Sequence, residues 1–300
     1  EKTGMLNIGL DYAFFNGRLN GSIEYYNKVT KDLIWNYPVT SFLYPFSTIS
    51  ANVGEITNRG IEISINAIPV QNKNFTWTTT LNLSHNKNKV NKLTNEKFST
   101  ASFTQGDPMV AGVSAEGYTQ QIMEGEPLGT FFTYEFAGYD EDGTSVYYEH
   151  DAETGARTGT TTKAPKFKDR AVTGCAQPKL NMGWNNTFSY KNWSASFFFT
   201  GVFGNKIYNG LRAHYTAPDF FAGGKNVLKE FITERPATDK SSNVPSDKFI
   251  ENGSYVRLQN LTLGYTFRNL DGWLNSLQLY LTANNPFTIT GDKGLDPEVI

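Results

Sequence analysis

Four groups of residues have the types from which chemistry is built. Cys175 and the three histidines, His85, His150 and His214, are the soft and borderline metal donors. They lie far apart in the chain, and one cysteine with three scattered histidines gives no zinc-type spacing. Asp140-Glu141-Asp142-Gly143 has the acid and glycine content of a calcium loop. It lacks the further carboxylate spacing and the distant glutamate that an EF-hand needs, so it reads as a hairpin turn. Asp219-Phe220-Phe221, in a long link, offers rings that could stack on a sugar or peptide, or simply pack within the loop. Asp296-Pro297-Glu298 reads as loop, with no catalytic role. No Ser-His-Asp, Cys-His or paired-carboxylate arrangement follows from spacing. Enzymatic activity, a bound cofactor and a resident metal are therefore not expected.

Composition narrows the field further. Of 300 residues, 39% are hydrophobic and 19% charged, both low for a globular chain, yet 14% are aromatic, which keeps β-forming capacity high. The net charge of −2 and the absence of a basic run give no support to nucleic-acid binding. One cysteine permits no internal disulfide. No apolar run approaches the roughly 18 residues of a spanning helix. The chain opens directly on a strand pattern and stops on a loop-like Asp-Pro-Glu, so both ends read as those of a fragment.

The elements that must position these residues are strands. Leu6, Ile8, Leu10, Tyr12 and Phe14 share one face, and Asn7, Gly9, Asp11 and Ala13 the other. After Asn16-Gly17 the alternation resumes, with Leu19, Ile23 and Tyr25 against Asn20, Ser22 and Glu24, which is a hairpin pattern. The same period of two runs through residues 61–66, 75–83, 180–188, 193–200, 255–267 and 276–284. A phase change at Gln259-Asn260 predicts a β-bulge. Strands of about 9 to 11 residues, tilted near 45°, span roughly 25 Å, the apolar height of an outer-membrane barrel.

The connections alternate in length. They are short at residues 15–17, 71–73, 191–192 and 271–273, and long at 28–57, 86–127 and 203–253. Short turns on one rim and long loops on the other are a barrel pattern. A strand ending near Tyr139 would then need a return strand at 144–149, with residues 140–143 as a turn on the short-turn rim, which gives about ten strands. Residues 151–163 read as loop. Phe14, Phe15, Tyr25, Tyr26, Phe75, Trp77, Tyr190, Trp193, Phe267 and Trp273 are expected to form an aromatic girdle at the short-turn rim. The apolar face of the opening hairpin should meet lipid, and its Asn/Ser/Gly face the barrel interior.

Six segments in order resemble the SusC/RagA family of TonB-dependent outer-membrane transporters. They are NVGEITNRGIEISI at 52–65, WTTTLNLSHNKNKVNKL at 77–93, GEPLGTFFTYEFAGYDEDG at 125–143, QPKLNMGWNNTFSYKNWSASFFFTGVFGNKIYN at 177–209, NGSYVRLQNLTLGYTF at 252–267, and TANNPFTIT followed by GLDPEV. The resemblance implies an all-β, antiparallel transmembrane barrel of 22 strands around a plug, located in the outer membrane. Residues 1–300 would then be part of the barrel domain, strands 12 to 21, open as isolated, with the plug, the earlier strands and the final strand outside the chain. It implies TonB-dependent uptake of oligosaccharides or peptides. The implied partners are a SusD-like surface lipoprotein acting as lid, the TonB complex reached through the missing N-terminal region, and outer-membrane lipid. Asp219, Phe220 and Phe221 would then face ligand, lid or loop. Two other readings stand beside it: a passive outer-membrane porin, and a soluble secreted adhesin or glycan-binding module.

Overall fold

The computed structural model describes residues 1–39, 42, 45–98, 100, 102–105, 118–268, 270, 274–294 and 296–298. Eight long strands form one antiparallel sheet in chain order: β1 (Lys2–Phe14), β2 (Leu19–Pro38), β3 (Thr48–Gln71), β4 (Phe75–Lys92), β5 (Leu180–Tyr190), β6 (Trp193–Phe203), β7 (Tyr255–Arg268) and β8 (Ser276–Thr290). The sheet is open, with β1 and β8 as its edges. No helix among the described residues is long and apolar enough to cross a membrane, which says nothing about crossing by strands.

Register converts the alternation in sequence into two faces. One rung runs Leu10, Ile23, Ile63, Leu83, Met182, Gly201, Val256, Ile289 across all eight strands. The neighbouring rung, one residue along, runs Asp11, Ser22, Ser64, Asn82, Gly183, Thr200, Arg257, Thr288. A slip of one residue in any strand would exchange its two faces, so burial of one face fixes the register along these rungs. The β1–β2 turn helps to fix it. Phe15 and Asn16 both have positive φ (55° and 56°), and the Gly17 amide donates to the Phe14 carbonyl at 3.1 Å. That is the twist a tight hairpin needs. The bulge expected at residue 259 is present: Phe198 pairs with Asn260 and Phe199 with Leu258, leaving Gln259 unpaired.

Among the described residues the long sheet has eight strands, not ten. The polypeptide between β4 and β5 contributes no strand to the long sheet, since β4 pairs directly with β5. Strand parity requires an even number of crossings between them, and zero satisfies it as well as two. Residues 140–143 do form a turn, with the Gly143 amide donating to the Asp140 carbonyl at 2.9 Å. It joins two short strands, Phe136–Tyr139 and Ser145–His150, in a separate three-stranded sheet. The third strand of that sheet, Arg157–Thr162, occupies much of the stretch that reads as loop. The link at 28–57 is also largely strand: β2 and β3 stay paired out to Pro38 and Thr48. Register shifts between Thr30 and Leu33 and between Leu33 and Ile34 break the period of two there, which is why the pattern is lost in sequence. At 24 residues, β3 is roughly 80 Å long, far more than a bilayer needs.

Five of the ten expected girdle residues stand exposed at the short-turn rim, with Phe75 and Trp77 half-buried beside them. Phe14, Phe15, Tyr190, Trp193 and Phe267 are exposed at the short-turn ends, and the rings of Trp193 and Tyr265 lie 4.8 Å apart. Tyr25 and Tyr26 are corrections. They pair with Ile8 and Asn7, well up the wall, and Tyr26 belongs to the polar face. Trp273 and the turn at 271–273 lie outside the described residues.

Above the wall, at the long-link rim, the chain builds a cap. The link after β4 contributes a four-stranded sheet of Ser102–Gln105, Gln120–Met123, Thr130–Tyr134 and Arg170–Cys175, besides the three-stranded one. The link after β6 contributes the pair Lys206–Tyr208 and Ile250–Asn252 and three short helices. The buried apolar core sits where cap meets wall: Ile56, Val90, Leu93 and Ile122 pack with Leu33, Trp35, Phe103 and Leu128. Tyr37, buried beside Ala51 and Val53, donates its hydroxyl to the Leu93 carbonyl at 2.7 Å.

Candidate functional site

The polar face of the wall is the first candidate. It forms an open groove of about 510 Å³ bordered by Ser22, Glu24, Glu62, Ser64, Asn82 and Asn181, among others. Its side chains bind one another across strands. The Asn66 amide donates to Asn20 Oδ1 at 3.2 Å, and Thr80 Oγ1 donates to Asn66 Oδ1 at 2.9 Å. Glu24 and Glu62 are direct cross-strand partners. Two like charges so placed repel, and a hydrated surface is what makes the arrangement tolerable. The Tyr26 ring lies across Gly60 and donates its hydroxyl to Asn86 Oδ1 at 3.0 Å. A Cβ at position 60 would sit 2.6 Å from that hydroxyl, so the glycine of the NRGIE segment makes room for a ring on the polar face.

The opposite face is apolar, with one polar inclusion. Asn186, fully buried, accepts at Oδ1 from the Trp77 indole N–H at 2.9 Å, and Trp184 donates to Thr79 Oγ1 at 3.0 Å. Trp77 stacks on Phe188 at 5.8 Å and Trp184 on Phe199 at 6.1 Å. The rings roof these polar atoms, so the face stays apolar outside.

Two features that spacing did not connect come together at the top of the polar face. Arg257, only 4% exposed, bonds Thr288 Oγ1 through Nε at 2.9 Å and forms ion pairs with Asp296 and Glu298. The Asp-Pro-Glu segment is thus the counterion of a buried strand arginine. Arg257 is the one charged residue between Tyr255 and Phe267, and a lone charge in a neutral strand was the available signal.

The cap holds the densest charge. Arg235 and Asp239 pair at 3.0 Å with side chains 3% and 0% exposed. Burial opposes the Asp239 charge, but hydrogen bonds from Ser145 and Ser241 and the Arg235 guanidinium outweigh it and hold the carboxyl below its usual range. Arg212 grips Glu230 with two bonds of 2.6 Å and reaches Glu251 at 3.2 Å. Among the described residues Lys248 has no such ion-pair partner. Its ammonium lies 4.8 Å from the Phe136 ring centre and donates to the Tyr139 hydroxyl at 3.0 Å. Burial pushes its pKa down to about 8, aided by the nearby Arg235 charge.

Asp219, Phe220 and Phe221 lie on the short helix Pro218–Ala222 of the cap. The Phe221 ring is exposed and touches Phe231 at 5.2 Å. The three histidines stay apart: His85 contacts the Lys179 carbonyl, His150 pairs with Glu135 at 2.9 Å, and His214 packs against Tyr215. Among the described residues no group of three or more His, Cys, Asp or Glu side chains is placed to hold a metal.

An antiparallel wall with one apolar and one polar face kept across its bulges, girdled by aromatics at its short turns and capped at the other rim, defines a transmembrane β-barrel domain. Residues 5–285 match the family described as TonB dependent receptor-like, beta-barrel, and the chain belongs to that family. It is 32% identical over 99% of its length to TonB-dependent receptor P3 of Formosa agariphila, covering 30% of that protein. It is 31% identical over its whole length to TonB-dependent receptor SusC of Bacteroides thetaiotaomicron, again covering 30%. The SusC/RagA resemblance of the six segments is thereby borne out. In fold, 99% of the chain superposes on 32% of a chain of the RagAB peptide transporter, with a TM-score of 0.79 at 23% identity. The chain thus spans about a third of the length of the proteins it matches.

Proposed function

We propose that the protein containing this barrel segment actively takes up oligosaccharides or peptides across the bacterial outer membrane, powered by TonB and closed outside by a SusD-like lipoprotein. The observation that carries this reading is the wall itself, apolar toward lipid and lined on its other face by Ser, Asn, Thr and Gly around the Glu24–Glu62 pair. Such a face suits a hydrated lumen that must release what it binds. The relatives named as TonB-dependent receptors support the energised mode, and the RagAB likeness supports a wall able to enclose a polymer path. Asp219, Phe220 and Phe221 are the proposed cap contacts to substrate.

The test is uptake of labelled oligosaccharide and peptide pools by cells carrying the full-length gene, with TonB or the neighbouring lipoprotein deleted. Loss of concentrative uptake in both deletions is expected. Uptake that survives loss of TonB would point instead to a passive porin. A full-length protein that stays monodisperse without detergent would point to a secreted adhesin or glycan-binding module. Replacing Asp219, Phe220 and Phe221 together with alanine should weaken substrate binding about tenfold, or ~1.4 kcal/mol, without changing insertion.

A further inference from the structure

On the outward face the apolar surface stops abruptly at one rim. Along β3 that face reads Ile65, Ile63, Ile61, then Arg59 and Thr57; along β4 it reads Leu81, Leu83, His85, then Lys87 and Lys89. Register places Arg59 directly opposite Lys87 and Thr57 opposite Lys89. Arg59 and Lys87 repel each other as Glu24 and Glu62 do, and an anion held between the cations would relieve that repulsion. All three cations are exposed, and among the described residues none has a carboxylate within ion-pair distance. The nearest outward carboxylate on β3, Glu55, is already engaged by Lys31 at 3.6 Å and by Asn91 at 2.9 Å. The cations border a cavity of about 840 Å³ between β4 and the cap, also edged by Lys179 and Lys206, with Glu126 as its one acidic residue.

The height of this row decides what it meets. Twelve residues of β4 separate the girdle residue Phe75 from Lys87. At about 3.3 Å per residue and a tilt near 40°, that is about 30 Å, just beyond the ~25 Å apolar belt of a barrel. Arg59 itself stands about 7 Å past the last apolar rung. An exposed cationic row at that level, on the lipid side and at the long-link rim, lies among the headgroups of the outer leaflet. We propose that Arg59, Lys87 and Lys89 form a docking site for the phosphate groups of an outer-leaflet lipid, whose acyl chains lie along the Ile61–Leu83 surface below. The inference rests on the outer-membrane reading above.

The experiment is native mass spectrometry of the full-length protein in detergent, titrated with lipid A bearing phosphate, the same lipid A dephosphorylated, and phosphatidylethanolamine. Phosphorylated lipid A should be retained at least tenfold better than either control, and millimolar inorganic phosphate should not displace it. The triple variant Arg59→Gln, Lys87→Gln, Lys89→Gln should fall to the level of the controls. Arg59→Lys with Lys89→Arg, which keeps the charges, should behave as wild type and guards against a folding artefact. Lys240→Gln, an exposed lysine of the cap, should leave lipid A retention unchanged. Equal retention by wild type and triple variant, equal retention of the dephosphorylated lipid, or full displacement by inorganic phosphate would each overturn the proposal. A protein that never enters the membrane fraction would overturn the outer-membrane reading itself. An inserted, transporting protein without phosphate preference overturns only the lipid site.

Discussion

The wall and the cap are stabilised by different physics. In the wall, backbone hydrogen bonds join eight strands side by side, and side chains serve mainly to give each face its solvent. Outward residues of its inner strands, such as Ile23, Ile61 and Leu263, are 43–48% exposed, as suits a face turned to lipid rather than to protein. In the cap the strands are short, and charged groups such as Arg235, Asp239 and Arg212 are buried in mutual hydrogen bonds. The wall therefore tolerates substitution of one polar lumen residue for another, whereas the cap depends on particular pairs. A buried pair contributes little net stability when intact and costs much when halved.

The sharpest way to break the comparison is Arg235→Met. It leaves Asp239 buried without its cation, and the expected loss is about 3–5 kcal/mol. In the full-length protein, limited proteolysis should open residues 118–253 while the wall keeps its resistance to detergent unfolding. If wall and cap melt together at a single lowered midpoint, they are not the separate regimes described above.

Lys248 tests the cap through pH. Its folded pKa of about 8 lies below the ordinary 10.5, so the folded state carries the whole cost of burying the ammonium at pH below 8. Between pH 8 and 10.5 the unfolded chain binds more protons than the folded one, so stability rises with pH across that window and then levels. The rise is up to about 3 kcal/mol. Lys248→Met should flatten it and raise the cap midpoint at pH 7, measured as the difference from wild type by calorimetry.

The smallest effect is expected in the wall. Asn186→Ala removes the acceptor of the Trp77 indole beneath the ring cluster, at a cost of about 1–2 kcal/mol. Tryptophan fluorescence should shift because Trp77 loses its partner, with insertion unchanged. A loss as large as that of Arg235→Met would mean that side chains hold the wall as firmly as they hold the cap.

How much of this was legible follows from the same contrast. The hairpin at Asn16-Gly17, the strands from Ile61, Phe75, Leu180, Trp193, Tyr255 and Ser276, and the bulge at Gln259 all show in the period of two, because a barrel strand presents each side chain to one of two solvents. The upper parts of β2 and β3 did not show, since the bulges around Thr30–Ile34 reset the phase. Residues 136–150 misled because a short cap hairpin carries the same turn chemistry as a barrel one. Parity excluded an odd number of extra strands but could not separate zero from two. The groove-facing Glu24 and Glu62 were readable as one face, but the basic row at Arg59 and Lys87 acquired meaning only once register set the two strands side by side.

The sequence by itself determined the alternation, hence the two faces, the hairpins and the family, because these depend on residues within a few positions of one another. Tertiary structure alone decided the neighbour of β4, the cap and its buried pairs. Ser145 meets Asp239 across 94 positions, and Arg257 meets Asp296 across 39. Contacts at such separations depend on where the intervening chain folds, and no local periodicity records that.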